Sequence, residues 1–401
     1  MKELKHLIYF ESLLEDTNNE LVRKAESEGD LALGYTCFHA PEVLMNLGNC
    51  FSVRLRAPHT NSMELATYYM ANNSCEFARA LLERALEGNY AFLHAMIGVD
   101  VCEANNRAIE NMEIMHMQGE DKDKFFYCNL DIPYSDDEDC VEHVREQVSR
   151  KILKPLHENY GINTSDDAIR AAVSEHNEVC RILTEIGELR KLDIPPITGY
   201  EYAVLVLVSY TCPKRLILPY LRETLEEIKS RKTDAEKDYR VRVVVVGSEI
   251  DDPQLIKLIE GCGALVVADR YCYGSFPGRQ EIILSDTEDA LTQVCRWYLQ
   301  NTECPRQSAM HRVKYRNDHV AQLIKDFNAD GAIYEQMKFC TYWSYERVIA
   351  SQVMPRDYGI HMLSIDRPYI SGQSGQLRTR VQAFVESLEI KKLRTAQKEE
   401  N

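Results

Sequence analysis

Residues 242–247 (RVVVVG) and 264–269 (ALVVAD) constrain the fold more tightly than any other part of this 401-residue chain. Their side chains are mostly apolar and β-branched, so strands built from them need cover on both faces. That is the condition of a parallel sheet layered between helices. Residues 331–335 and 359–365 complete this set, and a second set stands nearer the N-terminus at 31–36, 51–55, 92–99 and 125–130. Helical patterns such as 75–86 and 105–117 lie between the strands of that second set. The alternation predicts an α/β protein with two parallel-sheet domains. Residues 137–192 are helical and polar, with a start signal at Asn163-Thr164-Ser165-Asp166-Asp167 and a stop at Pro195-Pro196. The expected organisation is a helical segment at 1–30, a first α/β domain at 31–136, a helical linker at 137–200 and a second α/β domain at 201–401. The run 202–208 fits a strand or a helix, and its place before a long helical stretch favours the helix. No solenoid-type repeat is present.

Lys and Arg total 47 against 63 Asp and Glu, a net charge of −16 that argues against a nucleic-acid partner. The first 22 residues read as an amphipathic helix broken by charges, unlike a signal peptide, and no apolar run reaches the length of a membrane span. A cytoplasmic location without membrane association is expected. Thiols stay reduced there, so the 13 cysteines are ligands, nucleophiles or core residues and not a disulfide scaffold.

Six of them share a structural meaning. Cys37, Cys102, Cys272 and Cys340 each follow a predicted strand, at the carboxyl edge where open parallel sheets hold ligands. Cys75 and Cys304 stand at helix boundaries, where backbone N–H groups favour a thiolate. The absence of any CxxC pair excludes a zinc ribbon, a thioredoxin-like redox pair and a ferredoxin-type run. If both sheets turn their carboxyl edges into one cleft, six thiols converge there. On spacing alone the six read more readily as buried core thiols, the commoner fate of free cysteine. Cys50, Cys128, Cys140, Cys180, Cys212, Cys262 and Cys295 fall inside helical or strand patterns or acidic loops and read as core.

The segments GYTCFHAPEVLMNLGNCFSVRLR (34–56), SCEFARALLERALEG (74–88), VDVCEANNR (99–107), DGAIYEQMKFC (330–340) and SGQSGQLRTRVQAF (371–384) occur in order along nearly the whole chain. Together they resemble the 2-hydroxyacyl-CoA dehydratase and benzoyl-CoA reductase family. The resemblance implies two flavodoxin-like (Rossmann-like) domains with a 4Fe-4S cluster in the cleft between them, held by Cys75, Cys102 and Cys340, with one iron left open. It also implies a partner subunit, either a paralogue or a second copy, an acyl-CoA substrate, and a separate ATP-hydrolysing activator that supplies a low-potential electron. The chain itself has no GxxxxGK[ST] loop and no GxGxxG after a strand. Such an electron solves a chemical problem: the β-proton of a 2-hydroxyacyl thioester is not acidic, whereas a ketyl radical expels the α-hydroxyl and acidifies it.

Cys37, Cys272 and Cys304 match the second ligand set of the double-cubane cluster proteins in the same superfamily. The resemblance therefore leaves a single cubane and a sulfide-bridged double cubane both open. A homodimeric double-cubane reductase of small molecules, and a non-catalytic structural subunit, stand as alternatives to the dehydratase. His39 and Glu42, on either side of Ala40 and Pro41, are candidate proton carriers in the cleft, or else a helix cap and a solvated face. Arg54 and Arg56 alternate in a strand and would meet a coenzyme A phosphate, or else lie on the surface. Gly372-Gln373-Ser374-Gly375 lacks the last glycine of a nucleophile elbow, and the acidic run 135–139 lacks EF-hand spacing.

Overall fold

The structure, a computed structural model, describes residues 2–115, 124–233, 237–370 and 374–399. The Gly372–Ser374 part of the elbow-like motif lies at or beyond the edge of the described residues. The chain opens with α1 (Leu7–Leu14) and α2 (Glu20–Ser27), then forms β1 (Leu31–Tyr35), β2 (Cys50–Arg54), α3 (Glu76–Leu86), β3 (Ala95–Asp100), α4 (Glu103–Ile114) and β4 (Phe126–Asp131). These strands pair in parallel in the order β2-β1-β3-β4. Five helices follow: α5 (Glu138–Val148), α6 (Lys154–Tyr160), α7 (Asp166–Glu188), α8 (Gly199–Thr211) and α9 (Lys214–Ser230). The second half comprises β5 (Val241–Gly247), α10 (Gln254–Glu260), β6 (Ala264–Tyr271), α11 (Ala290–Gln300), α12 (Met310–Asp326), β7 (Gly331–Met337), α13 (Thr341–Asp357), β8 (Met362–Arg367) and α14 (Ser374–Glu399). Its parallel sheet runs β6-β5-β7-β8, the same order as the first. Both halves are thus flavodoxin-like, with the change of winding direction beside their first strand.

The predicted strands form, and burial explains their composition. Every residue of β5, β6 and β7 is buried, whereas the edge strands β4 and β8 are only partly covered. The ambiguous run 202–208 lies within α8. That helix is apolar on nearly all sides because it packs against α1, α7, α9, α10, β2 and β6. A reciprocal capping box between Thr198 and Glu201 fixes its start. Gly199 lets it press on β6, since a Cβ there would fall 2.5 Å from the Val266 carbonyl oxygen. No helix among the described residues is long and apolar enough to cross a membrane.

Two sequence expectations need correction. Arg54 and Arg56 are not surface residues but are 2% and 3% exposed: Arg54 ends β2 beneath the Tyr210 and Tyr273 rings, and Arg56, two residues past the strand, donates to the carbonyls of Leu14 and Asp251. Glu42 begins a 3-10 turn yet is not on a solvated face. Its Oε1 accepts from Lys214 Nζ at 2.6 Å, and its Oε2 accepts from Arg279 Nη1 at 2.8 Å. Arg279 also donates to the Ser209 hydroxyl at 2.7 Å and to the Ser209 carbonyl at 3.0 Å, at the end of α8. One carboxylate therefore joins the first sheet's loops, the helical segment and the second half.

Removing that carboxylate leaves two buried cations unpaired, so Glu42→Gln is expected to cost about 3–5 kcal/mol of stability in urea denaturation. Acid should act in the same direction. Burial pushes His176 from 6.5 down to about 3, against the pull of Glu42 and with the Arg279 and Lys214 charges adding to it. Below about pH 6.5 the unfolded chain protonates this histidine and the folded chain does not, so stability falls as pH drops from 6.5 towards 3. Glu42, held well below the ordinary carboxylate range by its two cations despite burial, adds a further loss at lower pH. His176→Asn should flatten the upper part of the stability curve measured by thermal melting.

Candidate functional site

The loops after the strands of both sheets meet around one small cavity of about 70 Å3. Its wall includes Cys37, two residues beyond β1; Cys272, directly after β6; and Cys304, in the link between α11 and α12. Cys75 and Cys102, the N-caps of α3 and α4, complete the thiols of the wall, and Cys340, the N-cap of α13, hydrogen-bonds Cys75 from beside it. The positive end of each of these three helices thus points at a sulfur. Burial, then Cys75, pushes the Cys102 thiol up, against the N–H groups of Asn105 and Ala104 that favour its thiolate. Phe339, just before Cys340, holds φ at 65°, a left-handed conformation costly for a bulky side chain.

The thiols form two neighbourhoods. Cys340 interacts with Cys75 and Cys102, while Cys272 interacts with Cys304 and Cys37. The hydrogen bond to Cys75, then burial, pushes the Cys340 thiol well up; burial, then Cys37, pushes Cys304 up to about 12. Thiols this reluctant to ionise release protons when they take a metal.

His39 and Glu249 share the cavity. Burial, and then the Arg306 charge, pushes His39 down to about 3, so its ring is neutral at pH 7. The ring Nδ1 lies 3.6 Å from Cys37 Sγ, and Nε2 is buried without a hydrogen-bond partner. Glu249 stands two residues beyond β5, and burial, with the Glu335 charge adding to it, pushes its carboxyl up to about 7. Glu42 does not reach the cavity; its carboxylate is saturated by Lys214 and Arg279. The structure therefore gathers all six cysteines and His39 but leaves Glu42 apart. Arg54 reaches the cavity as well, whereas Arg56 spends its guanidinium on the carbonyls of Leu14 and Asp251, at 2.9 and 2.5 Å.

No three His, Cys, Asp or Glu side chains among the described residues close on a point that one metal ion would fill. The sulfurs ring a space instead, which suits a cluster whose irons each take a separate thiolate. Around that space, Arg54 Nη1, Arg270 Nη1, His39 Nε2, Asn105 Oδ1 and Glu249 Oε2 are buried without hydrogen-bond partners. Two guanidinium donors and a thiol ring fit an anionic, sulfur-rich group. Glu249, Asn105 and Arg270 were not singled out from the sequence. Glu249 alone had a usable signal, its place just past the most strand-like run.

Residues 37–388 match the family described as 2-hydroxyglutaryl-CoA dehydratase, D-component. The chain is 22% identical over 384 residues to the (R)-phenyllactyl-CoA dehydratase beta subunit of Clostridium sporogenes, covering 94% of this chain and 97% of the relative. It is 21% identical over 380 residues to the (R)-2-hydroxyglutaryl-CoA dehydratase subunit beta of Acidaminococcus fermentans, covering 92% and 95%. It is 20% identical over 322 residues to a benzoyl-CoA reductase subunit of Thauera aromatica, covering 79% and 80%.

The environment of Glu249 has a spectroscopic consequence. In the metal-free protein, infrared difference spectra should show carboxyl groups that lose their proton near pH 7, Glu249 and Glu260 both being pushed to about that value by burial. Glu249→Gln should remove part of this signal and leave the Glu260 part in place.

Proposed function

The chain belongs to the 2-hydroxyglutaryl-CoA dehydratase D-component family, and on that footing we propose that it is the iron–sulfur subunit of a dehydratase- or reductase-type enzyme acting on an acyl-CoA thioester. The observation that carries this reading is the gathering of six cysteines from both sheets about one cavity. A low-potential 4Fe-4S cluster, when bound there, supplies single electrons for removing a hydroxyl or reducing an unsaturated bond.

Cys75, Cys102 and Cys340 are the residues that would hold it, each at a helix N-terminus that offsets negative charge on sulfur. His39, neutral and with Nε2 free, is the better placed of the two proton carriers read from the sequence. Glu42 has a structural part in this reading, since a carboxylate held charged by two cations has no proton to give. The apolar remainder of the wall, with Phe38, Phe77, Val101 and Trp343, keeps water from the reacting centre.

The second thiol neighbourhood, Cys37, Cys272 and Cys304, favours a sulfide-bridged double cubane as the fuller form of the site. In the acyl-CoA reading the chain pairs with a paralogous subunit, an arrangement supported by its relatives, each of which is named as one subunit of a larger enzyme. In the double-cubane reading it pairs with a second copy and reduces a small unsaturated molecule. Both forms draw their electron from an ATP-hydrolysing activator and work in the cytoplasm.

Anaerobic purification followed by iron and sulfide analysis tests the proposal. About four irons per chain support one cubane and about eight support two. Cys102→Ser should lower iron content in either case, and Cys272→Ser should halve it only with two cubanes. A chain that takes up no iron, and supports no turnover of any 2-hydroxyacyl-CoA with an activator present, would refute the proposal. Full activity after Cys75→Ser or Cys340→Ser would make this a supporting subunit without chemistry of its own.

A further inference from the structure

Arg54 ends β2 and is 2% exposed. Its Nε reaches the Thr36 carbonyl only at 3.4 Å, and its Nη1, sealed from solvent, reaches no acceptor. Its main electrostatic neighbours are the neutral side chains of Tyr273, Tyr210, Tyr35 and Cys272, and the one cavity carboxyl on which its charge acts, Glu249, is pushed up to about 7 by burial. The guanidinium lies over the Tyr273 ring at 4.0 Å and the Tyr210 ring at 4.8 Å.

Other buried arginines are better provided for. Arg279 pairs with Glu42, Arg270 with Glu303, and Arg316 with Glu346. Arg242, which lacks a carboxylate, donates to the carbonyls of Phe327, Leu192 and Arg190 at 3.0, 3.0 and 2.6 Å. A buried cation with no ion-paired carboxylate and a single long carbonyl contact is costly, and an anion in the cavity would offset that cost. Arg54 keeps its place in the wall of the cysteine cavity, where its charge acts on Cys37, Cys272 and Glu249.

We infer that Arg54 is a built-in counter-cation for an anionic, sulfur-rich group at Cys37 and Cys272, with Nη1 donating a hydrogen bond to sulfur. This inference rests on the iron–sulfur reading. It makes Arg54 a positioning and potential-setting residue of the second thiol neighbourhood. A positive charge beside a cluster favours its more negative, reduced form, so Arg54 raises the reduction potential and slows the loss of iron.

The test uses the full chain, with Arg54→Gln and Arg54→Lys, prepared anaerobically before and after loading with iron and sulfide. In the metal-free protein Arg54→Gln should melt no lower than the wild type, because a buried charge with no ion-paired carboxylate has been removed. In the loaded protein the same variant should show a more negative midpoint potential in an EPR-monitored redox titration and a several-fold faster loss of iron to a chelator. Arg54→Lys, which keeps the charge, should return the potential towards the wild-type value. A metal-free Arg54→Gln chain that melts lower or does not fold would show that Arg54 serves the fold and overturn the inference. So would a loaded variant with unchanged potential and iron-loss rate, given a wild type that loads normally. A wild type that takes up no iron would overturn the iron–sulfur reading and the inference with it.

Discussion

A single buried carboxylate organises the loops on which the cavity depends. Glu42 lies five residues beyond Cys37, and Arg279 lies seven beyond Cys272, so their ion pair ties together the two chain segments that bring those thiols into the wall. Lys214 completes the clamp and donates to Ser52 at 3.2 Å in β2, two residues before Arg54. Asn46 closes the turn by donating to the Glu42 carbonyl at 2.8 Å. Charges so deeply buried add little net stability over an apolar substitute, but they are intolerant of any other arrangement. The clamp fixes one register for loops that are otherwise free to vary.

Much of this was legible in the sequence, for physical reasons that can be named. The runs 242–247 and 264–269 announced themselves because strands covered on both faces leave no room for polar side chains. The cysteines were legible because a strand's end is a place in the sequence as well as in space. Glu42 was misread as a solvated residue because its partners stand 172 and 237 positions away. The surface alternative for Arg54 and Arg56 failed for a related reason: alternation along a strand does not say that Tyr210 and Tyr273 cover the first, or that the second turns to the carbonyls of Leu14 and Asp251. Glu249 carries no motif, and its importance comes from what surrounds its side chain.

The repeated strand order gives the site a two-part logic. The first strand of each half is followed by Cys37 in one and Glu249 in the other. The second strand ends at Arg54 in one and is followed by Cys272 in the other. The third leads to Cys102 in one and Cys340 in the other, each an N-cap. Equivalent positions thus carry a thiol in both halves only at the third strand. At the others a thiol stands opposite an acid or a cation, so similar scaffolds contribute different chemistry to the shared space.

The enclosure of α8 bears on how the protein moves. A helix with almost no face towards water, pressed between β2 and β6, is shared core and not a linker. Swinging the halves apart would tear hydrophobic contacts where a hinge would merely bend. A cavity walled by both halves is therefore tied to one continuous core. Any change in the width of the cavity then falls to its loops, since the helix beneath them cannot yield without opening the core.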